Sequence, residues 1–148
     1  MNKNIDKSLI KFLNKNKILT LCVSSGEELW AASCIFSFNE IDVSAIISTS
    51  HKTRHASMMT ENNIVAGTIG SKLSLLKSMG IQYRGVINLL EGERYTVAKG
   101  SYLKKYPYLK NKVSDIWKIS FDEIKLVSMT MGRHHRIEWL RDNHTRIN

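Results

Sequence analysis

Between Ile18 and Thr49 three apolar segments follow one another with room only for tight turns between them. They are "ILTLCVSS", then "LWAASCIFSF" after "GEE", then a run after "NEID" in which Val43, Ala45, Ile47 and Thr49 share one face. Parallel neighbours need a crossover of a dozen or more residues, so connections this short commit the segments to antiparallel hairpins. Within the second segment Trp30, Ala32, Cys34, Phe36 and Phe38 alternate with smaller residues, the period-two pattern of a half-buried strand.

The pattern extends along the chain. Strands are expected at Ile64–Gly70 and at Ile81–Gly92, where Gly85 marks a bulge or a close backbone approach. Another is expected from Trp117 through Phe121, interrupted by "DE", and on from Ile124 to Gly132; the last is Ile137–Leu140, after a turn at "GRHHR". "SKLSLLKSMG" (71–80) reads as a loose connection. Helices are expected where apolar residues recur at helical spacing: Ile5, Leu9, Phe12 and Leu13; then a short one from Thr53 to about Glu61; then Glu93–Tyr106, with Tyr95, Ala98, Tyr102 and Tyr106 on one face and Pro107 closing it. About seven strands and three helices, mostly hairpin-connected, predict a mainly β fold with α: an antiparallel, Greek-key-like barrel with flanking helices, as a single domain over residues 1–148.

With 148 residues, 43% of them hydrophobic, and one proline, the chain can bury an ordinary core and is far from disordered or fibrous compositions. No apolar stretch approaches the length of a membrane span or a signal-peptide core, so a cytoplasmic protein with no membrane partner is expected. Cys22 and Cys34 lie inside apolar segments and are expected to be reduced core thiols. The net charge is +9, and many of the cations are lysines scattered along the chain among asparagines, which favours anionic ligands without defining a site.

The densest polar chemistry is the knot "STSHKTRHAS" (48–57), lying where a strand ends and a helix begins. A helix N-terminus presents unpaired N–H groups and partial positive charge, a ready site for phosphate. Thr53 can cap the helix, Arg54 can grip a phosphate through two parallel hydrogen bonds, Lys52 and His55 add donors or positive potential, and Thr49 adds a hydroxyl from the strand end. The alternative is an ordinary cap with a solvated cationic surface. His51 and His55 stand at i, i+4 but have no Glu between them and no Cys or Asp nearby, so no metal site is expected. P-loop, GxGxxG and GxSxG motifs are absent from the sequence. Cations interleaved with aromatics in "KSLIKFLNKNK" and "KKYPYLKNK", together with "GRHHR", leave nucleic-acid binding as a weaker alternative.

The order of elements and the residues "STSHKTRHASMMTENNIVAGTI" resemble the flavin-binding split barrels related to pyridoxamine 5'-phosphate oxidase. "GIQYRGVINLLEGE", the helix ending in "KKYP", and "WKISFDEIKL" resemble that superfamily's later strand, helix and final hairpin. "ELWAA", "KTRHA", "VAGT", "LEGE", "DEIK" and "WLRD" are similar to the small bacterial family typified by YhbP. The resemblance implies a homodimer with flavin mononucleotide (FMN) at the subunit interface and a flavin-dependent oxidoreductase activity on a small-molecule substrate it does not identify. It assigns Thr49 as the strand-end threonine, Thr53 as the helix-opening hydroxyl and Arg54 as the phosphate-gripping arginine. His55 stands where the superfamily has lysine, with Lys52 as the neighbouring cation. Gln82 corresponds to a glutamine of the later strand, and Trp139 and Arg141 echo the oxidase's substrate-binding residues near the C-terminal end. No catalytic residue follows. The same barrel could instead hold haem or another tetrapyrrole, through His51, His55 or the His134–His135 pair, or bind no cofactor, a reading that His55 favours.

Overall fold

The computed structural model describes residues 4–142; the two ends of the expected 1–148 domain lie outside the described residues. Helix α1 (Lys7–Lys15) begins where the Asp6 carboxylate accepts Ser8 N–H at 2.7 Å, and it buries Leu9, Phe12 and Leu13. There follow β1 (Ile18–Ser25), β2 (Glu28–Asn39), β3 (Ser44–Ser48), α2 (Arg54–Glu61), β4 (Ile64–Leu73), β5 (Lys77–Leu89), α3 (Gly92–Lys105), β6 (Ile116–Thr130) and β7 (Arg133–Leu140). All strand pairs are antiparallel, in the order β3-β2-β1-β4-β5-β6-β7, and β3 also pairs with β6. The meander β1–β3 and the return of β4 beside β1 form a Greek key, and the β3–β6 pairing closes the barrel. The architecture is the one expected from the sequence.

One edge of β6 serves two partners in succession. Its first part, Ile116–Ser120, pairs with β3; its later part, Glu123–Thr130, pairs with β7. The barrel wall is split between them. Arg141 stitches that split: its Nε donates to Phe121 O at 2.7 Å and its Nη2 to Asp42 O and Val43 O at 2.8 and 3.0 Å.

The main core lies inside the barrel under α1 and α2, with Leu19, Leu21, Phe36, Ile47, Met59, Ile69, Ile81 and Phe121 essentially inaccessible. At Gly67 an added Cβ would sit 1.8 Å from Thr20 O and 2.6 Å from Tyr83 Oη, so the wall needs glycine there for the Tyr83 hydroxyl to reach Thr20 O at 2.8 Å. Gly85 sits at a register shift, with Ser120 O 2.4 Å from where its Cβ would be, the close approach expected of it. A second core lies outside the wall, where α3 sets Ala98, Tyr102 and Tyr106 against Ile46 and Ile116. Tyr102 donates to Ile35 O at 3.3 Å and Tyr106 to Phe36 O, bolting α3 to β2.

Several sequence expectations are corrected. Residues 71–80 are not a loose connection: β4 runs on to Leu73 and β5 begins at Lys77, because the growing β5–β6 ladder carries them into pairing. "GRHHR" is mostly strand; the reversal is confined to Met131–Gly132, at φ +49° and +77°, and β7 starts at Arg133. β6 passes through "DE" without ending, and β5 stops at Leu89 rather than Gly92. Cys34 is buried, but Cys22 is exposed, since β1 turns Leu19, Leu21 and Val23 inward and its alternate residues outward. Trp30 also lies on the exposed first half of β2, which runs beyond the core.

Candidate functional site

The chain leaves β3 at Ser48, turns, and enters α2 at Arg54. Thr53 fixes the entry: its extended backbone (φ −74°, ψ 155°) places its hydroxyl to accept Ala56 N–H at 3.2 Å while donating to Ser50 O at 2.9 Å. The first bond within the helix ladder runs from Ser57 N to Thr53 O at 3.1 Å, so the N–H groups of Arg54 and His55 have no carbonyl inside α2 to bind. The expected cap is present, and two donors stand beyond it.

A second segment, just before β6, holds the knot from the other side. Asp115 O accepts Thr49 N–H at 3.0 Å, and Ser48 Oγ accepts Ser114 N–H at 3.0 Å. The Asp115 carboxylate takes both His51 N–H, at 2.8 Å, and His51 Nδ1, at 2.7 Å. The backbone bond from His51, then the side-chain bond and the ring's charge, hold this carboxyl below its ordinary pKa. An ionised carboxylate only accepts, so His51 Nδ1 carries the proton and Nε2 faces away from Asp115. Trp117 Nε1 donates to Thr49 O at 3.0 Å, fixing the strand end to β6.

Within this frame Thr49 Oγ1 lies 2.7 Å from His55 Nε2. His55 is half-buried, and burial lowers its pKa from the ordinary 6.5, so the ring is neutral at pH 7. It therefore does not replace the permanent cation that lysine would supply. Arg54 stacks over Trp30, its guanidinium carbon 4.0 Å from the ring centroid, with Nη2 3.8 Å from Glu28 Oε2. Both partners of that ion pair are more than half exposed, at 53% and 68%, so stacking worth about 0.5–1 kcal/mol is the main restraint on the side chain. Lys52 is exposed, its N–H bound to Ser50 Oγ at 3.2 Å. Beside Trp30, Cys22, Val23, Leu29 and Ala31 line a shallow depression where β1 and β2 run past the core.

The structure thus gathers Thr49, Lys52, Thr53, Arg54 and His55 into one junction. It does not bring the other expected residues there within one chain. Gln82 lies on the exposed face of β5, between Thr68 and Lys125. Trp139 is buried at 5%, opposite Ile124. Arg141 is bound at the carbonyls that precede β3, separated from Thr49 by the length of that strand, roughly 20 Å. Among the described residues no group of three or more His, Cys, Asp and Glu could hold a metal, and His134 and His135 lie exposed on β7.

Sequence reasoning missed Asp115, Trp30 and Glu28 as members of the site. Asp115 had no local signal, being brought in only by the β3–β6 pairing from 64 residues away. Trp30 shares the parity of Phe36 and Phe38, which carries no sign that β2 extends past the core and exposes it.

No family model matches the chain. It is 36% identical over 145 residues to UPF0306 proteins of Yersinia pestis and Yersinia pseudotuberculosis, covering 95% of this chain and 97% of theirs. Among solved structures it resembles a heme binding protein from Mycobacterium smegmatis (TM-score 0.69, 16% identity, 86% of this chain); this chain spans only 55% of that one. It also resembles a FAD-binding protein from Mesorhizobium loti (TM-score 0.69, 10% identity, 88% and 99% coverage). A third likeness is a Listeria innocua protein named for pyridoxamine 5'-phosphate oxidase (TM-score 0.65, 15% identity, 80% and 94% coverage). At these identities the likeness is one of fold, the split barrel.

Proposed function

Since this chain belongs to the UPF0306 family, whose Yersinia members it matches almost end to end, we propose that it is an FMN-binding split-barrel protein, a cytoplasmic homodimer acting as a flavin-dependent oxidoreductase on a small molecule. The YhbP-like motifs in its sequence belong to the same reading. The observation that carries it is the strand-to-helix junction at Thr49–His55. There a capped helix start with uncommitted backbone N–H groups and two exposed cations, Lys52 and Arg54, lie together. That donor set fits a phosphate.

In this reading Arg54 leaves the Trp30 face and binds the phosphate with paired N–H groups; Thr53 keeps α2 capped, and Lys52 adds positive potential. The Asp115 carboxylate stays engaged by its two hydrogen bonds from His51. The flavin, when bound, would supply the electron or hydride transfer, and the protein supplies position and electrostatics. Gln82 faces outward on β5, Trp139 is buried opposite Ile124 and Arg141 is bound at the far end of β3, so in this reading any contact they make with the same cofactor comes from a second copy. The FAD-binding protein of Mesorhizobium loti supports a flavin on this fold.

A haem-type ligand is the second reading, favoured by one observation. His51 gives Nδ1 to Asp115, the carboxylate–histidine arrangement that orients the opposite ring nitrogen toward a metal, and a heme binding protein shares the fold. The absorption spectrum of the protein purified without added cofactor, with mass spectrometry of what denaturation releases, separates the two. Flavin bands and released FMN support the proposal; a Soret band replaces it with the haem reading.

A further inference from the structure

Far along the sheet from the junction, two hairpin tips meet. The β4–β5 turn and the β6–β7 turn are joined by Met131 N–H donating to Leu76 O at 2.9 Å, and Leu73, Ser78, Met129 and His134 form one row across the four strands. The tip breaks the usual partition of side chains. Leu75 is 100% exposed, Leu73 83%, Met131 76% and Leu76 61%. Single exposed apolar residues are ordinary, but a cluster of them on a projecting tip marks an interaction surface.

The charge around the tip has one sign. Residues 73–80 and 127–136 contain no Asp or Glu, while Lys77, Arg133 and Arg136 are exposed beside the leucines, with His134 and His135 between them. The nearest carboxylate along these strands, Glu138, is 3.8 Å from Arg136. The two segments hold no aromatic residue either, so the tip lacks the stacking platforms that single-stranded nucleic acid uses. Nor is it complementary to a second copy of itself, since like charges would meet.

We propose that the paired hairpin tips dock on an anionic lipid surface, the leucines and Met131 entering the headgroup boundary and Lys77, Arg133 and Arg136 meeting the lipid phosphates. Convex apolar side chains fully in water, ringed by cations, match what a peripheral membrane contact requires: apolar area to insert and positive charge to hold it. Among the described residues no helix is long and apolar enough to cross a membrane, so the contact is superficial. It departs from the expectation of no membrane partner, which weighed only spanning segments. It does not depend on the flavin reading.

The test is sedimentation of the full chain with phosphatidylcholine vesicles containing about a third phosphatidylglycerol, against pure phosphatidylcholine. The expected result is binding to the anionic vesicles alone, weakened at least about tenfold by Leu75→Ser with Leu76→Ser, and similarly by Lys77→Glu with Arg133→Glu or by raised salt. In Leu75→Trp, vesicle addition should shift the new indole's emission to the blue, with wild-type tryptophans as the baseline. The proposal is overturned if wild type ignores anionic vesicles at low salt. It is also overturned if the leucine changes leave binding intact, which would reduce the effect to general basicity. A change in solution mass in these variants without lipid would overturn it too, by making the tip a contact with another protein.

Discussion

The junction at Thr49–His55 and the paired hairpin tips both set aside the rule of apolar inside and polar outside, and they do so in opposite ways. At the junction, polar groups are drawn together and matched: Asp115 to His51, Thr49 to His55, Thr53 to both Ser50 and Ala56. At the tips, apolar groups stand in water beside cations. The first arrangement is stable within the chain and leaves a few donors for a small anion. The second gains nothing within the chain. A site for a small ligand and a surface for a large partner are thereby distinguished by whether their side chains are already satisfied.

Changes at the two regions should separate ligand binding from stability. The largest effect is expected for Arg54→Ala, which removes the bidentate phosphate grip and should weaken FMN binding roughly 100-fold, about 2–3 kcal/mol, in a fluorescence titration. Unfolding should scarcely change, because the arginine's own contacts are exposed. Next comes Asp115→Ala, which removes the acceptor of both His51 bonds while leaving the backbone bond to Thr49, and should lower stability by about 1 kcal/mol in urea unfolding. A smaller effect is a pH slope. His55 binds its proton less readily folded than at the unfolded value of 6.5, so the unfolded chain takes up protons first and stability should fall as pH drops through that window. His55→Gln should flatten the slope. Asp115, whose pKa is lowered on folding, should add a second loss as pH falls through the unfolded value of 3.8 toward the lower folded one. The smallest effect belongs to the tip: Leu75→Ser should change unfolding stability by less than about 0.5 kcal/mol, since the side chain has nothing to lose. A large loss there would mean that the leucine is packed and the contrast false.

The barrel was legible because short connections left "ILTLCVSS" and "LWAASCIFSF" no alternative to hairpins, and because Gly85 announced its bulge. The hairpin arms at 71–80 were not, since "SKLSLLKSMG" lacks β-branched residues and is held in pairing by β6, a context that propensity does not contain. Cys22 could have been placed outside from the alternation of Leu19, Leu21 and Val23 alone. At the junction the cap and the cations were visible within ten residues of sequence. Asp115 was invisible, because a contact 64 residues away has no local pattern. The parking of Arg54 on Trp30 was equally hidden, since it depends on how far β2 extends past the core.

The most direct test of the central claim is to titrate the protein with FMN and with riboflavin, which differ only by the phosphate. The account predicts that FMN binds more than about 100-fold more tightly and that Arg54→Ala removes most of the difference, leaving what Lys52 and the helix N–H groups supply. Equal affinities for the two flavins, or a preference for FMN undiminished in Arg54→Ala, would contradict it.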